Sequence, residues 1–302
     1  MKAMILAAGF GTRLRPLTRK KPKALIPVLN TPMIGRSIDL LKEHGATRII
    51  VNAHHHHRQI TDYLDNGRPF GLVIDVRVEP EILGTGGGIK NCTDFWDNNP
   101  FIVINSDILT DIDLTSAYIF HKKMGSIATL ILHDCHPFNQ VKINRSHYIT
   151  EISSQISPGN LAFTGIHIID PELLSHIPKA SFSNIIDTYR QLIQSGYTIS
   201  AYISKGHYWR DIGNIKSYCK AHLEILRRDK RDFSTGTGID MAPSANLKKW
   251  AVLGENVCLE KDVEITRSIL WDNVRIKKGV KIKDSIVTCS RVVDHDLIKE
   301  IY

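Results

Sequence analysis

Between Leu6 and Thr18 the chain reads LAAGFGTRLRPLT, and Lys21-Pro22-Lys23 follows closely. Gly9 and Gly11 remove the side chains that would hold a ligand away from the main chain, so backbone N–H groups can close on phosphate oxygens. Arg13 and Lys23 add mobile cationic heads to the same stretch. The chemistry that suits this combination is the handling of a polyphosphate. A dinucleotide fingerprint would need a third glycine where Leu14 stands, and the Walker pattern is absent, so the loop follows neither design. Four consecutive histidines, His54 to His57, invite a metal reading. As neighbours on a strand they would point to alternate faces and could not converge on one ion.

A phosphate loop needs a strand to deliver it, and Lys2 to Ala7 is a short apolar run ending at glycine, as a buried parallel strand does. Thr31-Pro32 supplies an N-cap and a first-turn proline for a helix whose apolar face is Ile34, Ile38 and Leu41 and whose stop is Gly45. Strands are expected over Arg48 to Ala53, Leu72 to Val78 and Phe101 to Ile104, with helices over Gln59 to Asp65 and from about Gly87. This alternation implies an α/β fold with a doubly wound, mostly parallel, Rossmann-like sheet. Beyond Gly125 shorter strands are expected over Ala128 to Leu132, Val141 to Asn144 and Tyr148 to Ile152, then Leu161 to Ile169 and further helices.

From Val257 onward the texture changes. Val257, Val263, Ile269, Val274, Val280 and Ile286 recur nearly every sixth residue, and Leu259, Ile265, Trp271, Ile276 and Ile282 follow two places later. A hexapeptide period signals a β-helix, here of about two coils where repeat stacks commonly need ~3 to bury a core. The expected division is a catalytic domain over 1–232, a linker over 233–250, and a short β-helix with tail over 251–302. So small a stack should pack on the large domain or on another subunit, making a homo-oligomer through the β-helix an expectation.

With 302 residues, 42% of them apolar, the chain can bury a large core. No run approaches the ~18 apolar residues of a membrane span, and Met1 leads into a strand without a signal peptide's apolar region, which points to a cytoplasmic protein without membrane partners. The five cysteines, Cys92, Cys135, Cys219, Cys258 and Cys289, form no C-x-x-C pair and suggest neither disulfides nor a zinc knuckle. A net charge of +8 favours polyanionic partners. The basic residues are dispersed apart from Arg19 to Lys23 and Arg227 to Arg231, without interleaved aromatics, which favours small phosphorylated substrates over nucleic acid.

The string from Leu6 to Thr18 with Lys21-Pro22-Lys23 resembles the signature of the sugar-phosphate nucleotidyltransferase family, which includes mannose-1-phosphate guanylyltransferases and glucose-1-phosphate thymidylyltransferases. The resemblance continues along the chain. Glu79-Pro80-Glu81-Ile82-Leu83-Gly84-Thr85-Gly86-Gly87 is similar to a second nucleotide-contacting loop, which implies Glu79 facing the base and Gly84 and Gly87 under the nucleoside. Asn105-Ser106-Asp107 stands where the family has a magnesium-binding aspartate, and Tyr208-Trp209-Arg210-Asp211-Ile212-Gly213 resembles the motif whose aspartate completes that site. The resemblance thus implies Arg13, Lys23, Asp107 and Asp211 as catalytic, with Mg2+ on the two aspartates. It implies nucleotide contacts at Leu6, Ala8, Gly9, Gly11, Thr12, Arg13, Lys23, Glu79 and Gly84. Asn105, Asn160 and Thr164-Gly165 match the stretch around the sugar phosphate. The Glu-Lys pair of the thymidylyltransferase type is here Glu151-Ile152, which leaves Lys142 as the substitute cation. The short β-helix that this resemblance implies is left-handed.

The implied substrates are a nucleoside triphosphate (NTP) and a sugar 1-phosphate. With a second pKa of ~6 the sugar phosphate is mostly dianionic at neutral pH and is itself the nucleophile, so catalysis should consist of positioning and charge neutralisation. Glu79, acceptor-only when ionised, could take both N1–H and the exocyclic amine of guanine, which favours GTP and a mannose-1-phosphate guanylyltransferase. The alternatives are uridylyl or thymidylyl transfer to N-acetylmuramic acid, glucose or heptose 1-phosphate, and a nucleotide-sugar-binding regulator without turnover. A bifunctional enzyme with an acyltransferase tail is disfavoured by the tail's shortness, with only His295 near its end.

Overall fold

The computed structural model describes residues 1–136, 138–179 and 181–302. The chain divides into two compact units: the first comprises 1–10, 22–24 and 33–211, the second 11–21, 25–32 and 212–302.

In the first unit, β1 (Lys2–Leu6) opens the chain; β2 (Pro27–Val28) and β3 (Thr31–Pro32) form a two-residue antiparallel ladder in the second unit. Thr31-Pro32 is therefore paired strand, and helix α1 begins after it, at Met33–Glu43. The first unit continues with β4 (Arg48–Ala53), α2 (His57–Leu64), β5 (Val73–Val78), α3 (Gly84–Lys90), β6 (Phe101–Asn105) and β7 (Ile108–Thr110). Then come α4 (Leu114–Met124), β8 (Ala128–His133), β9 (Asn139–Ile143), β10 (Ile149–Ile152), β11 (Leu161–Ile169), α5 (Ile185–Gln194), β12 (Ile199–Ile203) and β13 (Trp209–Asp211).

Nine of these strands form one sheet along the order β10-β9-β11-β6-β1-β4-β5, with β8 between β11 and β12. The strands β6, β1, β4 and β5 run parallel, and β11 joins antiparallel to β6. Both faces of the central strands are covered: Met4, Ile5, Ile50, Val51, Ile102, Val103 and Ile104 are all buried. Such strands are apolar runs rather than alternations, which is why they read clearly in the sequence. Helix ends are closed locally. Asp113 accepts from Ser116 N–H to cap α4, and Gly125 ends it at φ 60°, in the left-handed region glycine enters at little cost.

The second unit holds α6 (Ile215–Arg228) and a stack of parallel strands. Two ladders carry the stack. One is β14 (Phe233–Thr235), β16 (Asn246–Leu253), β18 (Glu264–Leu270), with β20 (Lys281–Lys283) and β21 (Ile286–Val287) both on β18, and then β23 (Leu297–Ile298) on β20. The other is β15 (Asp240–Met241), β17 (Cys258–Leu259), β19 (Arg275–Ile276) and β22 (Val292–Val293). Residues 233–250, expected as a linker, are thus the first coil: Phe233 pairs with Ala251 and Asp240 with Cys258. The four-strand ladder makes the stack longer than the expected two coils. The six-residue phase continues back through Ala251, Ala245 and Ile239, but alanine leaves too small an apolar mark for the period to show. Ala245, Val257, Leu259, Ile265, Val274, Ile276 and Ile282 form one buried core.

Within the second unit, Tyr218 of α6 donates to Pro27 O at 2.8 Å and accepts from Trp271 Nε1 at 2.9 Å.

Candidate active site

At the C-terminal ends of the parallel strands lies a cavity of about 210 Å³, where ligands of open α/β sheets bind. One wall is the end of β1 and the start of the glycine-rich loop, at Leu6, Ala8 and Gly9; the opposite wall is the β5–α3 segment at Ile82, Gly84 and Thr85. Lys23, Asn52, Asn105, Ser106 and Asp107 complete it.

The frame under this cavity is a chain of buried polar contacts. Asn52, near the end of β4, accepts from Ala7 N–H through Oδ1 at 2.8 Å and donates through Nδ2 to Glu79 Oε1 at 2.8 Å. The other carboxylate oxygen of Glu79 accepts from Leu83 N–H at 3.1 Å, and Glu79 N–H donates to Ala53 O at 2.7 Å. Asn52 and Glu79 are 2% and 1% exposed. Ser106 N–H donates to Leu6 O at 3.0 Å, tying β6 to β1 at the same level. The expectation that Glu79 faces the base is therefore corrected: its carboxylate is turned inward and fastens the β5–α3 loop to β4. Asn52, two residues before the histidine run, was not foreseen.

The glycine run of α3 has a packing cause as well. A Cβ on Gly88 would stand 2.7 Å from Asn52 Nδ2 and 2.9 Å from Glu79 Oε1, so only glycine lets the helix settle on this network. Gly84, at φ 74°, borders the cavity. Gly87 is not in its lining; a Cβ there would meet Leu83 Cβ and Ser181 O, both at 2.9 Å.

Lys23 forms an ion pair with Asp107, and the two side chains are 14% and 15% exposed. Both border the cavity, so the structure brings together the cation expected at the phosphates and a carboxylate expected at the metal. Asp211 reaches the neighbourhood through pairing: β13 runs antiparallel to β7 with Asp211 opposite Ile108, the residue after Asp107. Gly11, Thr12 and Arg13 belong to the second unit, where Gly11 at φ 62° starts a short 3-10 turn over Thr12–Leu14 and accepts from Thr18 Oγ1 at 2.9 Å.

The residues expected around the sugar phosphate divide. Gly165 sits at φ 77° in an irregular stretch of β11, and a Cβ there would lie 2.7 Å from Asn105 Nδ2; its bareness makes room for the Asn105 amide at the cavity. Thr164 is fully buried and its hydroxyl donates to Ile131 O at 2.7 Å, while its carbonyl accepts from Trp209 Nε1 at 2.9 Å. It clamps β11 to its neighbours and offers its hydroxyl to no sugar, a correction to the expected contact. Asn160 is buried before β11 and outside the lining. Lys142 and Glu151 stand opposite each other on the β9–β10 ladder at the sheet's edge, exposed and also outside it.

The histidine run does not lie on a strand. His54 Nδ1 meets Glu79 O at 2.7 Å, His56 caps α2 at φ 53°, and His57 is already helical. Among the described residues no three His, Cys, Asp or Glu side chains are grouped to hold a metal, and no helix is long and apolar enough to cross a membrane.

Comparison with known proteins identifies the family. Residues 2–228 match the nucleotidyl transferase family. The UTP--glucose-1-phosphate uridylyltransferase of Synechocystis sp. is 31% identical over 99% of this chain and 83% of its own. A probable mannose-1-phosphate guanylyltransferase of Oryza sativa subsp. japonica is 29% identical over 95% of this chain and 86% of its own. Among solved structures, a putative glucose-1-phosphate thymidylyltransferase from Bacillus anthracis superposes with a TM-score of 0.68 at 27% identity, over 74% of this chain and 94% of that one.

Proposed function

The chain belongs to the nucleotidyl transferase family, acting on sugar 1-phosphates, and we propose that its reaction is the transfer of a uridylyl group from UTP, with release of pyrophosphate. The observation that carries the choice of base is the inward-turned Glu79. Guanine presents N1–H and an exocyclic amine, which call for a carboxylate, yet among the described residues the only carboxylate in the cavity lining is Asp107 beside Lys23. Uracil presents one N–H between two carbonyls, an edge that main-chain groups of the Ile82–Thr85 wall can meet. The relative from Synechocystis sp. supports the same reading, being named for UTP. Guanylyl transfer is the second reading, favoured by the likeness to the enzyme of Oryza sativa.

The sugar 1-phosphate brings its own nucleophilic oxygen, so no side chain has to remove a proton. Its difficulty is repulsion, an anion approaching the α-phosphorus of a polyanion. Lys23 is the group that meets this charge: held by Asp107 before substrate enters, it is placed at the cavity and needs only to exchange a carboxylate oxygen for a phosphate oxygen. Arg13 is proposed for the same polyphosphate. Backbone N–H groups around Gly9 receive phosphate oxygens without a side chain intervening. Asn105, given room by Gly165, is proposed to orient the sugar phosphate.

Magnesium takes oxygen donors. Asp107 at the cavity and Asp211 across the β7–β13 ladder are donors of that kind and would hold it. Bound there, the ion would add positive charge to the phosphates. A cytoplasmic location is proposed for the protein, whose five cysteines stand as thiols rather than disulfides.

The test is a competition among UTP, GTP and dTTP for a fixed set of sugar 1-phosphates, scored as kcat/KM for pyrophosphate release. UTP should lead. A lead for GTP would overturn the uridylyl assignment and restore the guanylyl one.

A further inference from the structure

Residues 181–184 lead into α5 and run beside the β5–α3 wall of the catalytic cavity, and both segments belong to the first unit. Hydrogen bonds fasten the one to the other along its length. Ser183 N–H donates to Leu83 O at 2.8 Å, and the N–H groups of Gly86 and Gly87 donate to Ser183 O at 2.8 and 3.2 Å. The Thr85 hydroxyl accepts from Ile185 N–H at 3.0 Å and donates to Asn184 Oδ1 at 3.3 Å, the same oxygen that caps α5 through Ile186 N–H. Gly84 permits the close approach: a Cβ on it would stand 2.5 Å from Ser183 O and 3.1 Å from Cε2 of Phe182.

Phe182 is turned outward from this fixed backbone. Ser183 beside it is 9% exposed, yet Phe182 is 69% exposed, more than any other large apolar residue among those described. A lone exposed apolar residue is ordinary on a protein surface. This one has its ring against Gly84, which lines the cavity, and its backbone is already ordered, so a ligand that covers it has only side-chain torsions to fix. The cavity itself offers polar groups and charge but no π face, since no aromatic residue is among its described lining residues. Phe10, on the glycine-rich loop, already has its ring against those of His54 and His55, with centres 5.4 and 5.7 Å apart, whereas Phe182 has no ring partner among the described residues. A nucleobase whose edge is met by main-chain groups leaves its faces to be covered, and an aromatic ring suits a face.

We propose that Phe182 stacks on the nucleobase of the bound triphosphate and holds the nucleoside against the Ile82–Thr85 wall. The stack is indifferent to the identity of the base, because uracil, guanine and thymine all present a π face. The contact therefore rests on that wall as the proposed place of the base, and not on the choice of UTP. Phe182 sets nucleoside affinity, while the charge of the phosphates falls to Lys23.

Calorimetric titration of the full chain with UTP, GTP and dTTP reads the contact without turnover, and inorganic tripolyphosphate serves as the probe that carries the charge and no base. Phe182→Ala should weaken binding of each nucleotide about tenfold, within the range for one base stacked on an aromatic side chain, and leave tripolyphosphate binding as in the wild type. Phe182→Tyr should keep the wild-type affinity, whereas Phe182→Leu, apolar without a π face, should fall with the alanine variant. In initial rates, KM for the triphosphate should rise in Phe182→Ala while kcat and KM for the sugar 1-phosphate stay. The urea midpoint should not move, since so exposed a side chain adds little to the fold. Unchanged nucleotide affinity in Phe182→Ala, leucine binding as well as tyrosine, or a loss carried by KM for the sugar 1-phosphate would overturn the stack. A lead for GTP in turnover overturns the choice of uridine and leaves the stack standing when all three nucleotides lose affinity together, so the two failures give different results.

Discussion

Replacing Glu79 by glutamine separates a carboxylate that reads a base from one that holds a loop. In the structure each oxygen already has a donor, Asn52 Nδ2 at 2.8 Å and Leu83 N–H at 3.1 Å. Glutamine keeps one acceptor, so its amide nitrogen must face one of these donors. Turning the Asn52 amide over does not heal the mismatch, because Asn52 Oδ1 is needed by Ala7 N–H at 2.8 Å and the flip would set an NH2 against that N–H. One charge-assisted hydrogen bond is lost and one buried donor is left without an acceptor, together a cost of about 2–4 kcal/mol in stability. The loosened element is the Ile82–Thr85 wall. Urea unfolding should therefore show a lower midpoint for Glu79→Gln, and kcat/KM should fall by a common factor with UTP, GTP and dTTP. A loss confined to GTP, with unchanged stability, would refute the inward-turned carboxylate and return Glu79 to base recognition.

Gly88→Ala should destabilise by about 1–3 kcal/mol, the usual cost of overpacking, because its Cβ would lie 2.7 Å from Asn52 Nδ2; a neutral result in urea unfolding would mean that the network yields easily. Lys23→Ala should lower kcat strongly while nucleoside affinity is kept, and full turnover would remove Lys23 from the mechanism. Asp107→Asn and Asp211→Asn should each abolish magnesium-dependent turnover with the double variant little worse, whereas multiplicative losses would show that the two do not share an ion. Burial lowers the pKa of His121 to about 4 and that of His167 to about 3, so both fold neutral while the unfolded chain takes up protons below about 6.5. Stability is thus full above that pH and should fall on acidification towards pH 4, by up to about 1.4 kcal/mol per histidine per pH unit. A flat urea midpoint between pH 6.5 and 4.5 would contradict that burial.

The parts of the fold that read well in the sequence are those whose cause is local. β11 runs over Leu161–Ile169 as its apolar stretch indicates, and β1 ends one residue earlier than expected. What did not read is the consequence of distant contacts. Glu79 is placed in the right loop by its neighbours, but its direction is set by Asn52, 27 residues upstream. Thr164 lies in the stretch expected near the sugar, and Ile131, 33 residues away, holds its hydroxyl. The histidine run looked like strand because the preceding residues are strand; the chain turns at His56 into α2. The first β-helix coil was hidden by Ala245 and Ala251, whose burial is complete or nearly so but whose side chains are too small to mark a period.

The central claim is tested most directly by measuring pyrophosphate release from UTP in the presence and absence of glucose 1-phosphate, mannose 1-phosphate or N-acetylmuramic acid 1-phosphate, with magnesium added or chelated, and identifying the nucleotide product by mass. Release should require magnesium and one of the sugar 1-phosphates, and the product should carry uridine diphosphate joined to that sugar. Nucleotide binding without release under any of these conditions, or release that proceeds without a sugar phosphate, would contradict it.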